Sequence, residues 1–120
     1  MAALFAEVDR RLEDRWGDAF PLHPNRPARG ETEDSGMDGL FEAAADFTPG
    51  FGSQRGRGYI VSIRVATLER VPPERYEGFL DEANETLREL LPRYFPERDL
   101  DVVRDGPRFK IIGDFSLGYA

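Results

Sequence analysis

The residues best equipped to hold a ligand lie in GSQRGRGYIVSIRV, residues 52–65. Gly52, Gly56 and Gly58 stand there at G-x-x-x-G-x-G spacing, with Arg55 and Arg57 between them. Glycine lets backbone amides approach a phosphate, and a guanidinium supplies charge and forked donors. A dinucleotide site also needs a strand before the glycines and a helix directly after them, because the helix N-terminus provides the anion-binding amides. Here the glycines lead into YIVSIRVATL, whose β-branched run reads as a strand. A Walker A loop is excluded as well, since no lysine follows a G-x-x-x-x-G spacing. The stretch therefore reads as a connection between two strands. As a mobile loop over residues 49–58 it would carry Phe51, Arg55 and Arg57 to close on an anion or on a partner chain.

Other chemistry is sparse. The RGRG unit is similar to arginine–glycine segments that bind RNA, but the chain carries a net charge of −7, which opposes nucleic acid. His23 is the only histidine and there is no cysteine, so a metal site would have to be built from carboxylates alone. No D-x-D-x-D-G pattern supplies one, and neither metal nor cofactor is expected. Ser53, Ser62 and Ser116 have no histidine at a credible spacing and no G-x-S-x-G elbow. A mixed set of charges remains: Glu42 and Asp46 on one expected strand, Arg64 on the next, Lys110 and Asp114 on the last. Carboxylates beside bases can tune one another for proton transfer, but the commoner outcome is a solvated or salt-bridged face. The candidate ligand or interaction residues are thus Phe51, Arg55, Arg57, Arg64, Asp46 and Asp114, with no catalytic set.

The elements that carry these residues follow from periodicity. Leu4, Phe5, Val8, Leu12 and Trp16 recur at helical spacing over residues 2–16, with Glu7, Arg10, Arg11, Glu13 and Asp14 on the water side and Gly17 as a stop. Residues 21–39 are rich in proline, glycine and acid and read as a mobile linker, with His23 exposed on it. Residues 40–48 fit either a helix or a strand; Gly39 and Pro49 bracket them at strand length, and strand is preferred. Residues 59–68 form a strand with Tyr59, Val61, Ile63 and Val65 facing a core, and its half-apolar second face suits a central position. Pro72 and Pro73 open a long helix whose stripe is Tyr76, Phe79, Leu80, Ala83, Leu87, Leu90 and Leu91, and Pro92 ends it. Asp105-Gly106 marks a hairpin that pairs Val103 with Arg108, Val102 with Phe109, Asp101 with Lys110 and Leu100 with Ile111.

The order is α-β-β-α-β-β, an α+β fold with a four-stranded, largely antiparallel sheet and the long helix on one face. The first helix would cover the other face, or that of a second subunit. The chain divides into a helix over residues 1–20, a linker over 21–39 and a ββαββ unit over 40–120, one domain overall. No segment has the apolar length of a membrane span or the form of a signal peptide, so a cytoplasmic location is expected. The absence of a catalytic set favours a non-enzymatic module that acts through protein association, including self-association as a homo-oligomer. The competing expectation is an anionic small-molecule site, binding or catalytic, gated by residues 49–58.

Overall fold

The structure is a computed structural model, and it describes residues 2–33, 37–49, 57–105 and 108–113. Leu4, Phe5, Val8 and Leu12 are buried along one side of α1 (Ala2–Trp16). The helix ends where expected: the Gly17 N–H donates to the Glu13 carbonyl at 2.9 Å. A side chain at position 17 would put its Cβ 2.6 Å from that same oxygen, so glycine is the residue that fits.

β1 (Phe41–Thr48) pairs antiparallel with β2 (Gly58–Val65) along its whole length, from Phe41 opposite Val65 to Thr48 opposite Gly58. The strand reading of the alanine-rich segment holds despite its helical propensity, because pairing puts Phe41, Ala43, Ala45 and Phe47 in one row against Val65, Ile63, Val61 and Tyr59. β2 stops at Val65 rather than at Leu68, whose side chain is 73% exposed.

α2 (Pro73–Tyr94) starts at the expected prolines and buries Phe79, Leu80, Ala83, Leu87, Leu90 and Leu91. It does not end before Pro92, which lies inside the helix. The Phe95 N–H still donates to the Leu91 carbonyl at 2.9 Å. In a last turn proline removes a single ladder bond, and burial of Leu90 and Leu91 holds the backbone helical.

β3 (Leu100–Asp105) and β4 (Arg108–Gly113) form the second hairpin. Its register is displaced by two residues from the sequence expectation: Val102 faces Ile111, Val103 faces Lys110 and Asp105 faces Arg108. A two-residue shift leaves every side chain on its original face, so the apolar pattern did not discriminate against it. Proline has no N–H to give to a ladder, which favours starting β4 after position 107. Lys110 accordingly pairs with Asp105, at 2.6 Å, and not with Asp101.

The sheet order is β1-β2-β4-β3, with β2 internal as expected. The two hairpins join through Tyr59 opposite Ile111, Ile60 opposite Lys110 and Val61 opposite Phe109. Just past that seam, the Tyr76 hydroxyl of α2 donates to the Ile63 carbonyl at 2.8 Å. α1 does not cover the second face. It lies beside α2 on the same face, where both helices share one core with Phe41, Val61, Ile63, Val102, Phe109 and Ile111. Arg11 reaches Glu89 and Arg15 reaches Glu82, each at 2.7 Å, and the Trp16 ring sits 6.0 Å from that of Phe79.

Candidate functional site

β1 is an edge strand, so every second residue turns its N–H and C=O away from β2. The Ala66 N–H donates to the Leu40 carbonyl at 2.7 Å, which points the even-numbered residues toward β2 and the odd-numbered ones outward. α1 and the segment after it meet that outward edge with side chains. Glu13 Oε1 accepts the Phe41 N–H at 2.7 Å. Asp9, one helical turn earlier, lies near enough to the Ala43 N–H for that amide to favour its charged form. Arg26 Nη2 donates to the Phe41 carbonyl at 3.4 Å. Two carboxyl groups and a guanidinium thus stand in for a further strand along the first half of β1.

The supports of this cap lie in the segment read from sequence as a mobile tether. Arg26 is 9% exposed along its side chain, and it also donates to Gly39 O at 3.0 Å and Asp38 O at 3.1 Å. The buried Asp38 carboxylate accepts Gly30 N–H and Thr32 N–H, each at 3.2 Å, and the Thr32 hydroxyl at 2.9 Å. Gly39 has φ +73°, and a Cβ there would overlap Glu13 Oε1. His23, expected to be exposed, is half-buried: its N–H donates to Ala66 O at 2.8 Å and its Nδ1 accepts Asn25 N–H at 3.0 Å.

Electrostatics make the cap costly. Asp9 is 2% exposed, and its Oδ1 finds no hydrogen-bond partner. Burial, followed by the nearby Glu13, pushes its pKa from 3.8 to about 8, against the opposing pull of Arg26. Glu13 is also raised, chiefly by burial, while the Phe41 and Leu40 amides and Arg29 oppose the shift. At neutral pH Asp9 is therefore mostly a neutral acid that no substrate can reach. Glu13 borders a cavity of about 800 Å³ with Asp14, Gly17, Phe20, Arg29 and Leu40. Arg29 bonds Asp14 there at 2.7 Å. Among the described residues, no group of three or more His, Cys, Asp or Glu side chains is arranged to hold a metal ion.

Of the residues singled out from sequence, Phe51, Arg55 and Asp114 lie outside the described residues. Arg57 and Arg64 sit at opposite ends of β2, about 23 Å apart at the rise of a strand. Arg64 pairs across to Glu42 at 3.1 Å. Asp46 lies opposite Ile60, roughly 13 Å further along the same face. The three described candidates, Arg57, Arg64 and Asp46, are therefore spread along the β1–β2 hairpin. Sequence reasoning missed Asp9, Arg26 and Asp38 and placed Glu13 in water. One signal was available: Phe5, Asp9 and Glu13 form a single i, i+4 row beside the apolar stripe of α1.

A protein family described as "uncharacterised protein" matches residues 1–113. The chain belongs to that family. It is 42% identical over 109 residues to an uncharacterized protein of Borreliella burgdorferi, a match covering 91% of this chain and 85% of that relative. No solved structure matches. The family match runs from α1 through β4, so the carboxyl cap and the segment that supports it fall within the family's own span.

Proposed function

We propose that this protein is a non-catalytic association module that pairs with a second copy of itself through the outer face of its sheet. One observation carries the reading: both helices lie on one face, and among the described residues no element packs on the other. That outer face shows Ala44, Ile60, Ser62, Val103 and Ile112, all half-buried. A sheet with an apolar strip on its second face buries that strip against another layer. The charges around the strip suit a like partner: Glu42, Asp46 and Asp101 stand with Arg64 and Arg108, nearly balanced although the whole chain is at −7. A twofold pairing of such a face sets acid against base. No described helix is long and apolar enough to cross a membrane.

Light scattering on the purified chain tests this. A dimer mass that falls to the monomer in Ile60→Glu, with an unchanged circular dichroism spectrum, is the expected result. A wild type that is monomeric at the highest soluble concentration refutes it.

A second reading, an anionic small-molecule site, has one feature in its favour. A cavity of about 500 Å³ is lined by His23, Arg26, Thr32, Arg64 and Thr67. Glu42 competes there, 3.1 Å from Arg64 and 3.8 Å from Arg26. Phosphate or citrate should raise the melting temperature, and Arg64→Ala should remove the rise. No rise at tens of millimolar anion excludes it.

A further inference from the structure

The outward edge of β1 has two halves. Phe41 gives its N–H to Glu13, and the Ala43 N–H faces Asp9. Beyond Ala43 the cap makes no contact among the described residues, and the same alternation turns the N–H and C=O groups of Ala45 and Phe47 outward. Natural sheet edges are guarded by proline, lysine, a bulge or a covering element. The second half of β1, Ala44 to Thr48, has neither proline nor lysine, and its pairing with β2 runs without a bulge. The Phe47 ring there is 58% exposed. Asp46 is exposed and has no ion pair among the described residues.

We infer that Ala44 to Thr48 is a strand-addition site for an extended segment of a partner protein in which a basic residue is flanked by apolar ones. The pattern follows from the pleat. A residue opposite Asp46 projects from the outer face, where a lysine or arginine meets the free carboxylate. Its two neighbours lie opposite Ala45 and Phe47, on the side of the exposed ring, where the small Ala45 leaves room for a β-branched side chain. The carboxyl cap fixes the limit of the site, since an added strand cannot displace Glu13 or Asp9 without stranding them. This leaves about five residues, or roughly 17 Å of strand. A second copy of β1 supplies no base for Asp46: pairing Ala45 with the other copy's Phe47 sets Asp46 against itself, and pairing Phe47 with Phe47 sets it against Thr48. The inference concerns the edge and not the face, and it rests on the association reading only in taking the partner to be a protein.

The test is an NMR titration of the full chain with acetyl-Thr-Val-Arg-Val-Thr-amide at millimolar concentration. Amide shifts should centre on Ala45 and Phe47. Replacing the peptide arginine by glutamate should weaken binding several-fold, and Asp46→Lys should invert that preference. Ala45→Pro removes only an outward N–H, a place where an edge strand tolerates proline. It should keep the fold and lose the peptide. Ile60→Glu, which probes self-association through the face, should leave the titration unchanged, so the two readings fail separately. Shifts centred away from β1, no shift at all, binding by Ala45→Pro equal to wild type, or an arginine preference that survives Asp46→Lys each overturn the assignment.

Discussion

Replacing Asp9 by asparagine should flatten the dependence of stability on pH. In the folded chain Asp9 holds its proton up to about pH 8, whereas the ordinary value is 3.8. Between those limits the folded state binds a proton that the unfolded state has released. Stability is therefore greatest at the acid end and falls as pH rises, by about 1.36 kcal/mol per pH unit for one group. From pH 5 to pH 8 that amounts to roughly 4 kcal/mol, a large share of the 5–15 kcal/mol typical of a domain. Glu13 is raised too and adds in the same direction. Asparagine keeps an oxygen for the Ala43 N–H and cannot ionise. Its amide N–H groups face the place where Oδ1 lacks a partner, which costs about 1–3 kcal/mol at every pH. The slope is thus the quantity to measure, by urea unfolding at pH 5, 6, 7 and 8. The wild type should lose stability steeply and Asp9→Asn only weakly, so that the variant becomes the more stable protein near pH 8. Parallel profiles for the two proteins would refute a buried neutral Asp9.

Two further substitutions probe the same architecture. Gly39→Ala combines a left-handed backbone with an overlap on Glu13 Oε1, whereas Gly30 has φ +87° and open space within 4 Å of an added Cβ. In urea unfolding, Gly30→Ala should cost about 1 kcal/mol and Gly39→Ala at least about 2 kcal/mol, because only the latter displaces the carboxylate. Tyr76→Phe removes the hydroxyl that serves the Ile63 carbonyl and should cost about 1 kcal/mol in the same assay.

The elements were legible because apolar spacing encodes them directly. Leu4 to Leu12 in α1, Phe79 to Leu91 in α2 and Val61 and Ile63 in β2 are buried as their periods dictate, with Tyr59 and Val65 half-buried on the same face. The second hairpin was legible by face but not by register, since a shift of two residues moves no side chain across the sheet. The carboxyl cap was not legible, for a different reason. Glu13 answers a backbone amide 28 positions away, and every residue except proline has such an amide. A sequence shows which side chains need partners, but it gives no sign of an outward N–H on a particular edge strand. The polar composition of residues 21–39 pointed to a tether for the same reason. Arg26 and Asp38 are satisfied largely by main-chain groups, so their polarity serves packing.

The narrow seam between the hairpins shapes how the sheet opens. Each hairpin closes its own ladder locally, but β2 and β4 meet over only Tyr59 to Val61 and Phe109 to Ile111 as described. Separating the halves breaks few cross-strand bonds, and the two stay joined through α2, which Tyr76 ties to Ile63. Amide protons along that seam should exchange with solvent through a partial opening, earlier than the rest of the core. The molecule then yields as two leaves about a common binding.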